Sequence, residues 1–149
     1  MRGPNSVAAA DSVPTVTAAV RLIRSARLSS VAEYAYASAV SLKADRLIFA
    51  AGACPLDAEG NTVAPGDFAG QARQVMDNLE IALAEAGAKL GDVVKTTVYV
   101  ASARQADLVA AWEVVRDRFG EHDAPSTLLG VAALGYDDQL VEVEAVAAV

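Results

Sequence analysis

The sequence predicts an α+β domain with elements in the order β-β-β-α-β-α-β-β, forming one mixed sheet with two helices on one face. Three observations carry this. Two stretches of helical periodicity, at 67–87 and 102–120, alternate with β-branched runs. Each helix lies between two strands, the pattern of right-handed crossovers on one sheet. A chain of 149 residues, 54% of them apolar, is long enough and apolar enough to bury one core.

The elements follow in chain order. Residues 1–17 lack periodicity and hold Gly3, Pro4, Asn5 and Pro14, which predicts a flexible leader before a single domain at 18–149. Val20, Leu22 and Ile23 open a first strand near 19–26. A second near 36–43 and a third near 46–53 flank a turn at Lys43-Ala44-Asp45-Arg46. The run from Leu47 to Ala53 has no polar residue, which predicts burial on both faces. Two helices on one side cover only one face of a sheet, so the other face is expected to meet a second copy.

Phe68, Ala72, Val75, Leu79, Leu83 and Ala86 form one apolar stripe, with Asp67 as N-cap and Gly87 at the left-handed position after the helix. Val93 to Val100 reads as a strand. Ser102 and Gln105 have capping-box spacing ahead of a stripe of Leu108, Trp112, Val115 and Phe119, closed by Gly120. Two last strands, near 126–132 and 139–147, flank a turn at Gly135–Asp138.

Charge and composition exclude several functions. The net charge is −7, and from residue 31 onward eight basic residues face eighteen acidic ones. Such a body repels phosphate backbones, so a nucleic-acid partner is not expected. No apolar run reaches the roughly 20 residues of a membrane span, and Asp11 and Pro14 break the alanine-rich start before a signal sequence can form. A cytoplasmic protein without membrane contact is the expectation. One cysteine and one histidine argue against a dedicated metal site, and no G-x-G-x-x-G or Walker loop calls for a nucleotide, so no cofactor is expected. Cys54 reads as a small core residue, His122 as a solvated residue at a helix end, and Trp112 as core.

The last strand alternates. Val141, Val143, Ala145 and Ala147 share one face, expected under the helices; Glu142 and Glu144 share the other. Alternation alone places such glutamates in water. In an interface cleft, a carboxylate loses solvation and becomes a candidate general base able to hold a water.

Several motifs together resemble the Rid superfamily, also called YjgF or L-PSP, over most of residues 33–149. Tyr36-Ala37-Ser38-Ala39-Val40 is similar to its Tyr-Ser-Gln-Ala-Val, and Ala51-Gly52-Ala53-Cys54-Pro55-Leu56-Asp57 to its Ser-Gly-Gln-Ile-Pro-Leu-Asp. Gln71 to Leu79 resembles its long helix, and Asp92-Val93-Val94-Lys95-Thr96-Thr97-Val98 a common strand motif. Ala124-Pro125-Ser126-Thr127 and Val141-Glu142-Val143-Glu144-Ala145 resemble its Ala-Arg-Ser-Thr and Val-Glu-Ile-Glu-Ala.

The resemblance implies a chorismate-mutase-like fold assembled as a homotrimer, sheets packed inward, with small-molecule sites between subunits. It implies imine or enamine deamination, with Glu142 positioning the hydrolytic water and Glu144 structural. Tyr36 would line the pocket and Gly52 would offer backbone groups to the substrate. The family is in places called ribonuclease-like, a label this chain's charge does not support.

The departure is Pro125. It stands where the family has an arginine that clamps the substrate carboxylate through two charge-assisted hydrogen bonds. Proline brings neither charge nor N–H. Loss of such a contact weakens binding by about 1.5–3 kcal/mol. Arg73 and Arg104 are the replacements considered, although both sit on predicted helix surfaces. The usual glycine-proline before the tyrosine is also absent, since this chain reads Glu33-Tyr34-Ala35-Tyr36. Ser126 and Thr127 keep hydroxyls beside the altered position. Two readings follow: a deaminase-like hydrolase with altered substrate specificity, or a metabolite-binding trimer without turnover.

Overall fold

Alternation in the last strand divides the molecule into a covered and an open face. The computed structural model describes residues 19–149 apart from 30, 32 and 42; the expected leader at 1–17 lies outside the described residues. In chain order the elements are β1 (Val20–Ile23), β2 (Ala37–Val40), β3 (Leu47–Phe49), α1 (Phe68–Glu85), a 3-10 turn at Leu90–Asp92, β4 (Val93–Val100), α2 (Gln105–Phe119), β5 (Ser126–Gly130) and β6 (Val141–Ala148). That is the expected order.

Strands β3, β6, β4 and β5 lie side by side in one mixed sheet. β6 runs antiparallel to both β3 and β4, and β4 runs parallel to β5, as a strand-helix-strand crossover through α2 requires. Val141, Val143, Ala145 and Ala147 are buried where α1 packs over β6. Val75, Met76, Leu79 and Leu83 of α1 complete that core, with Ala111 and Val115 of α2 beside them. Asp67 caps α1 by accepting from the Gly70 amide at 2.9 Å, and Gly87 takes φ 84° just after it.

Three expectations need correction. First, the sheet is not single. β1 and β2 pair only with each other among the described residues. The chain leaving β2 donates its Asp45 and Arg46 amides to the Val149 carbonyl, which carries β3 to the far edge beside β6. The hairpin stays near the start of β4, where the Ser38 hydroxyl donates to the Val94 carbonyl at 2.6 Å.

Second, β3 is not buried on both faces. It is an edge strand, with Leu47 55% and Phe49 73% exposed. Third, Ser102 does not cap α2. Arg104 is the N-cap residue, without a side-chain bond, while the Ser102 hydroxyl accepts from the Arg104 amide and donates to Asp107 at 2.7 Å. The serine therefore holds the turn before the helix rather than its first free amides.

Candidate functional site

Residues 50–54 run along β6 as an irregular edge. Ala50 donates to the Ala145 carbonyl at 2.9 Å, and Ala53 exchanges backbone bonds with Val143 at 2.8 and 3.2 Å. Between these anchors the chain rises over Glu142. A Cβ on Gly52 would stand 1.9 Å from Glu142 Oε1, so the carboxyl group occupies the space of the missing side chain. The other oxygen, Oε2, accepts from Gln139 Nε2 at 3.0 Å and lies 3.5 Å from Cys54 Sγ. Glu142 is therefore half-buried in a niche of named donors.

Cys54 is not a plain core residue. Burial, and then the Glu142 charge beside it, push its thiol up to about 11, which keeps it protonated and a donor. Asn78 of α1 holds this loop by donating to the Cys54 and Leu56 carbonyls at 2.8 and 2.9 Å. Fully buried Gln71, two turns earlier on the helix, accepts from the Leu140 amide at 2.7 Å and donates to the Asp138 carbonyl at 2.8 Å. Helix α1 thus fixes both chain segments that flank Glu142. Next along β6, Glu144 accepts from the Tyr99 hydroxyl at 2.8 Å, and that bond raises the phenol above its ordinary range.

A second cluster lies elsewhere on the same sheet. Tyr36, Lys95, Pro125, Ser126 and Thr127 line a groove of about 360 Å³. The Pro125 carbonyl accepts from the Thr96 amide at 3.0 Å, which locks the start of β5 onto β4. Strand alternation turns Ser126 to the covered side, where its hydroxyl accepts from buried Thr96 at 2.7 Å. Thr127 faces the open side, and its hydroxyl accepts from Lys95 Nζ at 2.8 Å. Tyr36 is held by its hydroxyl, which donates to the Ser29 carbonyl.

The segment before Tyr36 has a firm anchorage. Trp112 Nε1 donates to Glu33 at 2.7 Å, Arg116 donates to the same carboxylate at 2.9 Å, and the Tyr34 ring meets Trp112 edge-on at 5.9 Å. The Trp112 bond, followed by that from Arg116, lowers the Glu33 carboxyl below the ordinary range. Trp112 is thus a bridge at the core margin, not wholly core. His122 is likewise half-buried, with Nε2 at 2.8 Å from the Val93 carbonyl, rather than solvated.

The site residues read from sequence therefore fall into two groups: Gly52 with Glu142, and Tyr36 with Pro125, Ser126 and Thr127. Tyr99 pairs with Glu142, and Lys95 lies beside Pro125, four residues away along β4. The two groups are about 13 Å apart along that strand. Arg73 and Arg104 reach neither; they lie near Asp67 and Asp107, on α1 and just before α2. Sequence reasoning missed Lys95, which the alternation Lys95-Thr97-Tyr99 places on the open face. It also missed Gln139, for which no local signal exists. Among the described residues no three His, Cys, Asp or Glu side chains gather closely enough to hold a metal ion, and no helix is long and apolar enough to cross a membrane.

Comparison with known proteins adds to this geometry. Residues 25–149 match the family described as Endoribonuclease L-PSP. The chain is 37% identical over 107 residues to a RutC family protein of Pyrococcus abyssi, covering 72% of this chain and 82% of that one. It is 37% identical over 105 residues to the 2-iminobutanoate/2-iminopropanoate deaminase of Escherichia coli K12, covering 68% and 78%. Among solved structures, a Rid family protein of unknown function from Yersinia pestis superposes with a TM-score of 0.80 at 30% identity, covering 89% of this chain and 100% of that one. The YjgF gene product of Escherichia coli superposes with a TM-score of 0.59 at 33% identity, covering 77% and 87%.

Proposed function

The chain belongs to the Rid (YjgF/L-PSP) superfamily, and on that premise we propose that it hydrolyses small reactive imines or enamines, with Glu142 as the general base. One observation carries the reading: the Glu142 carboxylate sits beneath Gly52, oriented by Gln139 and Cys54 rather than by a cation. A carboxylate fixed by neutral donors keeps lone pairs free to take a proton from water.

In the proposed step a water bound to Glu142 attacks the imine carbon and gives its proton to the carboxylate. The protonated carboxyl group passes that proton to the imine nitrogen; the carbinolamine hydroxyl then gives its proton to Glu142, which hands it to the amino group, and ammonia leaves as the carbonyl forms. The missing side chain at Gly52 makes room for the carboxyl group itself and so sets where the water is held. The Glu142 and Tyr36 groups lie apart on one protomer, so the proposed site joins the first group of one subunit to the second group of its neighbour in a homotrimer. The apolar open face at Phe49 and Leu47 supports such packing. A cytoplasmic setting belongs to the same proposal.

Ammonia release from freshly generated 2-imino acids tests it. Glu142→Gln is expected to reduce the rate by about 100-fold or more. Equal rates for the variant and the wild type would exclude this mechanism. Pro125 favours one alternative, a binder of metabolites without turnover, because the usual clamp is missing. Ligands that raise the melting temperature without being consumed would support that alternative.

A further inference from the structure

The missing guanidinium raises the question of what would hold an anionic substrate on a chain of net charge −7. We propose that Lys95 is the cation of this site, and that the groove beside Pro125 binds the carboxylate of small 2-imino and 2-oxo acids. The inference rests on the hydrolase reading for its substrate class, and on separate geometry for the residue.

Lys95 lies on β4 with its side chain on the helix-free face. The parallel register pairs Thr96 with Ser126, so Lys95 and Pro125 are neighbours across the strands. Both line the groove that also holds Tyr36 and Thr127. The ammonium is held by two neutral oxygens, donating to Thr127 Oγ1 at 2.8 Å and to the Thr96 carbonyl at 3.2 Å. An ammonium has three protons, so these contacts orient the group and leave one donor for a ligand. Ion pairs among the described residues use Arg24, Arg73, Lys89, Arg104, Arg116 and Arg118, and none involves Lys95.

Among the described residues Lys95 therefore makes no direct ion pair with a carboxylate. Proline at 125 brings no second cation to repel Lys95 and no N–H to compete for the ligand. A lysine acts as a point charge where arginine forms a fork, which predicts anion binding with looser geometric selection. Lys95 also borders a second groove, of about 440 Å³, that reaches Thr97 and Glu144. The open face between the two groups of site residues thus carries a cation at the Pro125 end and carboxylates at the Glu142 end. In an imino acid the carboxylate and the carbon that water attacks are bonded to each other, so the two poles serve one substrate only in the proposed trimer, where the Pro125 end of one subunit meets the Glu142 end of its neighbour.

Calorimetric titration of the full chain with 2-oxobutanoate and with its neutral amide tests the assignment. The wild type is expected to prefer the acid. Lys95→Met is expected to weaken acid binding by about tenfold or more while leaving the amide unchanged, and Lys95→Arg to restore it. Equal acid affinity in wild type and Lys95→Met overturns the assignment, as does a wild type that fails to bind the acid or prefers the amide. Circular dichroism melts of the variants show whether they remain folded. Glu142→Gln separates the two ideas: it is expected to bind the acid as the wild type does while ammonia release falls. If ammonia release is unaffected by Glu142→Gln, the hydrolase reading fails, and the anion site stands or falls on the titration alone.

Discussion

Single residues set the chemistry. Gly52 and Glu142 depend on each other, because any side chain at 52 would displace the carboxyl group. Cys54 reports on the same niche. Its pKa is raised on folding, from 9.0 to about 11. The folded state keeps the proton longer, so this contribution to stability is complete below about pH 9 and is lost as pH rises toward 11. At pH 8 the thiolate fraction is about 100-fold below that of an ordinary thiol. Cys54 is therefore expected to react with a disulfide reagent about 100-fold more slowly in the folded protein than after unfolding in urea. Glu142→Gln removes the neighbouring charge and is expected to speed the reaction. Labelling of the folded protein at the unfolded rate would contradict the niche described above.

At the scale of elements, α1 is the brace. Its apolar stripe and both of its ends were legible in the sequence, because Asp67, the three- and four-residue spacing and Gly87 are local signals. Its polar bonds were not. Gln71 and Asn78 lie on a helix that sequence reads as amphipathic, yet they reach the segments before β6 and after β3. Gln71→Leu would leave the Leu140 amide and the Asp138 carbonyl without partners. The expected cost is about 2 kcal/mol or more, read as a lower urea midpoint with unchanged slope. A midpoint within error of the wild type would mean that the brace is replaceable. Strand β3 shows the opposite case, where local signal misled: an all-apolar run reads as a central strand but serves as an edge whose outer side chains await a partner.

The whole molecule presents one covered and one open sheet face. On the open face Leu47, Phe49 and Leu129 are all exposed. Burying such side chains yields roughly 1.5–3 kcal/mol each, enough to drive association when three copies meet. The proposed trimer is expected to sediment at three times the 15.3 kDa of one chain. Phe49→Asp would set charges against the neighbouring sheet and is expected to shift the population to monomer. A wild type that sediments as a monomer would remove the intersubunit site and, with it, the joining of Glu142 to Tyr36. The acidic surface acts at this scale too, since it makes any local cation on the open face the natural place for an anion.

The sequence by itself determined the order of the elements, the division of β6 into an apolar and an acidic side, and the absence of a guanidinium at position 125. Each is a matter of residue identity or of short-range period, which a chain displays without folding. Only the tertiary structure decided that Gly52 roofs Glu142, that Cys54 lies against a carboxylate 88 residues away, and that Lys95 reaches across 32 residues to Thr127 beside the proline. Those contacts arise from strand register and loop path, and register is fixed by packing across the whole sheet rather than by any local stretch of sequence.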